Sequence, residues 1–454
     1  MKIDALVAEI GSTTTVINAF HDLTCPCPKF IGQGQAPTSV LEGDVNIGLE
    51  NALKDLKKSL GVSTIDSDAF FATSSAAGGL RMTVHGLVYD MTVRAAKEAA
   101  LGAGANIHFI TAGKLRRSDL KKISAIHPNI ILLSGGVDYG ERDTAIENAE
   151  RLLGLNLNLP LIYAGNIENQ EEIIEIFEES NYELHVTDNV YPKIDDLNIE
   201  PTRSIIQNVF EKHITTAPGM EKVRSFVTSN IIPTPGAVML ATKLIYDSFG
   251  DVLTFDVGGA TTDVHSVTCG SEEINRILIS PEPKAKRTVE GDLGVYVNMN
   301  NVIDLIGKEE LASYLNMNSE ELNQLIEGYK AVPHTENELK FVNQLTEKAL
   351  SLAIRRHAGQ VRYLYGGTGK RAVAEGKDLT NTKYIIGTGG ALTRLPDNKA
   401  IIDRVIKSKK ETELLPHEDV KVLIDKHYIM ASLGVLSKKY PEAALELLRQ
   451  SLEF

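Results

Sequence analysis

The chain has 454 residues with 47 basic and 60 acidic side chains, and its formal net charge of −13 gives a nucleic-acid-binding role little electrostatic support. Hydrophobic residues at 43% and charged residues at 24% are those of a globular protein, and the length is enough for about three domains. No apolar run approaches the roughly 20 residues of a membrane span, and Met1-Lys2-Ile3-Asp4 passes straight into strand-like sequence without a signal peptide, so a cytoplasmic location and no membrane partner are expected.

The first element, Ala5-Leu-Val-Ala-Glu-Ile-Gly-Ser-Thr-Thr-Thr-Val-Ile17, reads as an apolar strand, an acid at Glu9, a turn at Gly11, the hydroxyls of Ser12, Thr13, Thr14 and Thr15, and a departing strand. A glycine turn has no Cβ to keep phosphate oxygens away from backbone N–H groups. Cys25, Cys27 and Cys269 are too few and odd in number for a disulfide framework. Cys25-Pro-Cys27-Pro has no second cysteine pair or spaced histidine pair to complete a metal site, and its prolines favour an extended turn.

From about Phe70 to Val190 the pattern becomes a regular β/α alternation. Apolar strands at Leu80–Val84, Ile107–Ile110, Ile130–Leu133, Leu161–Tyr163 and Leu184–Val186 alternate with helical segments at Thr92–Leu101, Ser118–Ile126, Ala145–Leu153 and Gln170–Glu178. Short apolar strands each followed by a helix of about three turns are what a parallel sheet covered on both faces requires. Five strands in this rhythm predict a flavodoxin-like unit inserted into the surrounding fold. Ser134-Gly-Gly-Val-Asp-Tyr-Gly140 ends the third of them and reads as the turn into the next helix, and His85 reads as a core histidine.

After a Pro233-Thr-Pro235 connector, Leu253-Thr-Phe-Asp-Val-Gly-Gly-Ala-Thr-Thr-Asp-Val264 repeats the first plan. Gly258 and Gly259 allow a sharp turn, Ala260 and Thr261 follow it, and Asp256 and Asp263 supply hard oxygens of the kind Mg²⁺ prefers. Two such loops predict two related lobes gripping one nucleotide from opposite sides. Glu290-Gly-Asp-Leu-Gly294 is expected to open a helix through about Ile306, with Asp292 as its N-terminal cap or near the nucleotide. Residues 308–357 read as charged helices framing an adenosine pocket, with Leu311, Leu315, Leu322, Leu325 and Ile326 as their apolar stripe. Gly366-Gly-Thr-Gly-Lys-Arg371 fails as a phosphate-binding P-loop, because Arg371 stands where Ser or Thr is required, and reads as a loop. Tyr384-Ile-Ile-Gly-Thr-Gly-Gly-Ala-Leu-Thr-Arg-Leu-Pro396 is a strand ending in Gly387, Thr388, Gly389 and Gly390, where an adenosine can lie against bare backbone. Ile424 to Phe454 reads as two helices separated at Pro441.

The order and spacing of these three loops resemble the actin, heat-shock chaperone and sugar kinase superfamily of ATPases. The second loop matches its pattern at Asp256, Gly258, Gly259, Thr261 and Asp263, and the third at Gly389, Gly390, Thr393, Arg394 and Pro396. The first departs from it, because Glu9 stands where an aspartate is usual. The resemblance implies an α/β, two-lobed, actin-like ATPase with ribonuclease H-like lobes. It also implies ATP or ADP with Mg²⁺ held through water by Glu9 and Asp256, catalysis by Glu9, Asp256 and Asp263, and phosphates held at Gly11 to Thr13 and Gly258 to Ala260.

The insertion resembles the cobalamin-binding domain of adenosylcobalamin mutases. Leu87, Tyr89 and Thr92 stand where that family's motif has Asp, the cobalt-ligating His and Gly, so the shape is expected without directly ligated cobalamin. Over nearly the whole chain, including the Tyr428-Ile-Met-Ala-Ser-Leu-Gly434 segment, the sequence resembles the glutamate mutase L family. That implies a chaperone-type accessory protein that reactivates an adenosylcobalamin-dependent mutase and has its subunits as partners. A small-molecule kinase and a non-catalytic nucleotide-binding scaffold are the rival readings, and Tyr89 disfavours a cobalamin-carrying mutase subunit. The expected organisation is a first lobe in residues 1–69 and 193–247, an insertion in 70–192, a second lobe in 248–423 and C-terminal helices in 424–454 that return to the first lobe.

Overall fold

The computed structural model describes residues 1–39, 43–75, 81–214, 219–366 and 369–454. Strands β1 (Lys2–Ile10), β2 (Thr14–His21), β3 (Lys29–Pro37) and β4 (Asp66–Ser74) begin the first sheet. Five strands then form a separate sheet: β5 (Arg81–Gly86), β6 (Asn106–Ala112), β7 (Ile130–Leu133), β8 (Pro160–Tyr163) and β9 (Glu183–Val186). The chain returns to the first sheet at β10 (Ile232–Pro233). It builds the second lobe from β11 (Val252–Val257), β12 (Thr262–Val267), β13 (Ala285–Glu290), β14 (Gln360–Gly366), β15 (Gly369–Glu375), β16 (Tyr384–Thr388) and β17 (Lys421–Ile424).

The two large sheets have the same topology. The first runs β3-β2-β1-β4-β10 and the second β13-β12-β11-β16-β17. In each, three antiparallel strands are followed by two parallel ones. This is the ribonuclease H-like order, present twice, and it gives the two-lobed actin-like fold. β1 reads as nearly continuous apolar sequence because both its faces are covered: Leu6, Ala8 and Ile10 pack into a core continuous with the insertion, which adds Met82, Val84 and Leu132, and Ala5 and Val7 into a core shared with the second lobe. That shared core also takes in Val252, Ile386 and Leu423 from the second sheet, together with helices Thr234–Phe249, Met430–Leu436 and Pro441–Leu452.

The third sheet is wholly parallel, in the order β6-β5-β7-β8-β9, which is the flavodoxin-like order with its switch point between β5 and β7. The expected boundary at residue 70 falls inside β4, whose pairing with β1 continues to Ser74, because register with β1 and not composition decides where that strand stops. Leu80, the expected first residue of β5, lies outside the described residues.

Two further expectations are corrected. The helix after Glu290 begins only at Met299, because residues 291–298 fold back under the second glycine turn first. The segment at Gly366 is the end of a β14–β15 hairpin, with Gly367 and Thr368 outside the described residues. Pro441 opens the last helix at its first turn, where its missing N–H costs nothing.

Candidate functional site

A cavity of about 410 Å³ lies between the lobes and is lined by both glycine turns, Gly390, and the end of the insertion's first helix. The turns share one hydrogen bond: Gly11 N–H donates to the Thr14 carbonyl at 2.9 Å, and Gly258 N–H to the Thr261 carbonyl at 2.9 Å. A Cβ at Gly11 would sit 2.6 Å from the Thr14 oxygen, so the turn admits only glycine there. The N–H groups of Gly11 and Gly258, expected to face phosphate, are therefore used inside the turns. Those of Ser12, Thr13, Gly259 and Ala260 take no acceptor among the described residues.

The second turn is tied back by its carbonyls. Gly258 O accepts from Val295 N (3.2 Å), Gly259 O from Tyr296 N (2.9 Å) and Val297 N (2.7 Å), and Ala260 O from Asn298 Nδ2 (2.7 Å). The two turns meet across the cavity, since a Cβ at Gly259 would lie 3.6 Å from Thr13 Cγ2.

Glu9 and Asp256 reach this cavity from the equivalent strands β1 and β11. The Glu9 side chain is buried, with Oε1 accepting from the Tyr428 hydroxyl at 3.1 Å and Oε2 taking no partner among the described residues. Burial, then the nearby Asp256 charge, push the Glu9 carboxyl up to about 8. Burial and then Asp263 push Asp256 up to about 7, against the opposing pull of Arg287. A buried and a half-buried carboxyl held toward neutrality, the first with an orphaned oxygen, form a donor set that a hard divalent cation relieves. They fit the Mg²⁺ that the fold implies.

Asp263 lines the same cavity but is locked. Its Oδ1 accepts from Arg287 Nε (2.9 Å) and Nη2 (2.6 Å), and its Oδ2 from Thr261 Oγ1 (3.2 Å). Asp292 lies outside the cavity lining, where Arg356 donates to both its oxygens (2.8 and 3.0 Å) and holds the carboxyl below its usual range. It does not cap the helix, whose N-cap position is Asn298.

Of the four residues expected to bind nucleotide in the third segment, only Gly390 lines the cavity, beside Ala391, Arg394 and Leu395. Gly387 packs under Ile424, and Thr388 donates to the buried Asp425 at 2.9 Å. Gly389 has φ +86° and lies so close to β11 that a Cβ would be 2.5 Å from Asp256 Oδ1.

Several lining residues carried no readable signal. Tyr296, Tyr329, Val332 and Pro333 are among them, as are Ser75, Asn106 and Thr234. Arg287 sits in Lys284-Ala-Lys-Arg287, which reads like a run of surface cations, yet it is 1% exposed. Asp425 is buried in the same way. It accepts from Met430 N (2.9 Å), Ile429 N (3.2 Å), Thr388 and Ser451 Oγ (2.7 Å), and so fixes the turn that brings Tyr428 to Glu9 and starts helix Met430–Leu436.

In the insertion, Tyr89 is 56% exposed at the start of the π-turn Tyr89–Val93. The switch-point crevice beside it is packed shut. Ser134 Oγ donates to the carbonyls of His85 (3.2 Å) and Thr92 (3.3 Å), and a Cβ on Gly165 would lie 2.4 Å from Gly135 N. His85 is buried between Thr83 and Thr111 (3.0 and 2.8 Å) and is pushed down to about 3 by burial, a core histidine. No helix among the described residues is long and apolar enough to cross a membrane.

Comparison with solved structures finds distant likenesses. Nucleotide-free acetone carboxylase is 12% identical with a TM-score of 0.42, covering 96% of this chain and 70% of that one. A diol dehydratase-reactivating factor in nucleotide-free form is 10% identical with a TM-score of 0.39, covering 96% and 99%. At these scores the fold rests on the duplicated strand order and not on the neighbours. In sequence, Protein MutL of Clostridium tetanomorphum is 35% identical over 426 residues, covering 91% of this chain and 92% of the relative. The family described as MutL protein matches residues 5–452, nearly end to end, and this chain belongs to it, the glutamate mutase L family that its loops resemble.

Proposed function

We propose that this chain binds Mg-ATP between its lobes, hydrolyses it slowly, and uses the resulting lobe movement as an accessory protein that reactivates an adenosylcobalamin-dependent mutase. The observation that carries the nucleotide reading is the pair of matching glycine turns facing each other across one cavity, each with a carboxyl from the strand that leads into it. Glu9 and Asp256 would hold Mg²⁺ through water, and the ion would supply charge neutralisation on the transferring phosphoryl group. The N–H groups of Ser12, Thr13, Gly259 and Ala260 are placed to hold phosphate oxygens. Tyr428 fixes the Glu9 carboxylate, and the wall of Tyr329, Val332, Pro333 and Gly390 suits an adenine face.

A small-molecule kinase needs a base for its acceptor hydroxyl. Among the described residues the acids in the lining are Glu9, Asp256 and Asp263, and the last is committed to Arg287, which favours water as acceptor. The family supports the mutase as partner. The closed crevice and the phenol at Tyr89 do not fit a ligated cobalamin, which supports the insertion as a look-alike and not a carrier.

Calorimetry with Mg-ADP and phosphate release from Mg-ATP, with and without a co-expressed mutase, test the reading. Binding with partner-stimulated turnover is expected. Absence of nucleotide binding would sink it, and binding without turnover under either condition would leave the scaffold reading in its place.

A further inference from the structure

Arg287 is buried on β13 and makes bonds in two directions. Nε and Nη2 grip Asp263 at 2.9 and 2.6 Å, and Nη1 donates to the carbonyl of Leu101 at 2.9 Å. Asp263 stands directly opposite Asp256 in the β11–β12 ladder. Leu101 belongs to the last turn of the insertion's first helix, Arg94–Ala103, where the carbonyls are the negative end of the helix dipole. One guanidinium therefore joins the nucleotide lobe to the insertion without leaving the interior.

The rest of that helix is docked along the same edge strand. Arg94 binds Glu282 at 2.7 Å, and Arg203, which also donates to the Glu98 carbonyl at 3.5 Å, donates to the Ala285 carbonyl at 2.7 Å. At its C-terminal end Gly104 (φ +98°) and then Asn106 line the cavity. At its N-terminal end the π-turn presents Val88 and Tyr89 to solvent, 43% and 56% exposed. The helix thus spans from the nucleotide cavity to the outer face of the insertion as one rigid element.

We propose that Arg287 is a positioning residue of the nucleotide site whose bond to Leu101 makes the placement of helix Arg94–Ala103 depend on cleft occupancy. Drawing Asp256 and Asp263 toward a bound Mg-nucleotide pulls on the guanidinium, and the guanidinium holds the end of the helix. The planar fork is essential, because an ammonium at this position cannot present two N–H groups to Asp263 Oδ1 and also reach a carbonyl on the other side. This rests on the nucleotide reading above.

Hydrogen exchange of the full chain, with and without saturating Mg-ADP, tests it. Nucleotide should protect residues 11–14 and 258–261, and should also slow exchange in residues 94–106 by roughly tenfold, the scale of a typical coupling between sites. In Arg287→Lys, at a nucleotide concentration that still saturates, the turns should remain protected while the effect on residues 94–106 falls below about twofold. Protection of the turns without any change at residues 94–106 in the unmodified chain would overturn the coupling and leave the nucleotide reading standing. So would full protection of residues 94–106 in Arg287→Lys. No protection anywhere would remove the nucleotide reading itself. The measurement on the unmodified chain decides even where the variant fails to fold.

Discussion

Glu9 and Asp256 are raised above their unfolded values, to about 8 and about 7, so each contributes stability that is complete below its unfolded pKa and lost as pH rises through the folded one. The nucleotide-free chain should therefore unfold at progressively lower temperature between about pH 4 and 8. Glu9→Gln should flatten the upper part of that slope, and an unchanged slope in the variant, followed by circular dichroism, would show that Glu9 is not its source. Asp256→Ala should lower turnover more than it lowers nucleotide affinity, about 100-fold against less than tenfold, because the metal serves the transition state as well as the ground state. Equal losses in the two would mean that Asp256 acts only in binding.

The third segment offers a cleaner residue-scale probe. A Cβ at Gly390 meets nothing within 4 Å, whereas one at Gly389 collides with Asp256 and with the backbone of Val257. Gly390→Val should weaken Mg-ADP binding by about tenfold or more at an unchanged unfolding midpoint, as a side chain placed in the adenosine end must. Gly389→Val should instead disrupt β11 and the fold. Undiminished affinity in Gly390→Val, measured by calorimetry, would place the adenosine elsewhere.

At the scale of elements, the C-terminal helices are the seam between the lobes. Helix Met430–Leu436 crosses helix Thr234–Phe249 so closely that a Cβ at Gly434 would lie 1.8 Å from the Ala237 carbonyl oxygen. No rotamer relieves a clash with backbone, so Gly434→Ala must push the helices apart. A loss of about 3 kcal/mol or more is expected, at the upper end of core overpacking. The same displacement should withdraw Tyr428 from Glu9, since Tyr428 stands in the turn with which Asp425 starts the helix that carries Gly434. Denaturant unfolding checks the first effect and nucleotide affinity the second; a variant as stable as the parent would mean the helices can slide.

At the scale of the whole molecule, the insertion is not a detachable module. Its first helix covers the edge of β13, and Gly104 and Asn106 wall the cavity, so deleting it should impair nucleotide binding as well as partner association. The informative change is on its outer face. Val88, Tyr89, Tyr139 and Ile167 are exposed on loops that follow β5, β7 and β8 at the carboxyl edge of the parallel sheet, and Asp138 and Asn166 tie the latter two together through Ile167 N (3.0 Å) and Tyr139 N (3.2 Å). Tyr89→Asp with Tyr139→Asp should abolish co-purification with the mutase while leaving Mg-ADP affinity unchanged. Retained co-purification would move the partner surface off this face.

The sequence by itself determined whatever depends on local periodicity and on glycine: two strand-turn-strand units, the five-strand β/α rhythm of the insertion and the break at Pro441. Each is legible because a turn, a strand or a helix start constrains residues close together in the chain. The tertiary structure alone decided that Gly11 and Gly258 spend their N–H groups within the turns, and that Asp263 is locked by Arg287 while Asp292 is paired outside the cavity. It alone brought Tyr428 to Glu9, 419 positions away, and set the end of the insertion's helix against the nucleotide lobe. These depend on which strand edges and helix ends meet, and the free energy of a buried ion pair or a shared core is set by neighbours distant in sequence.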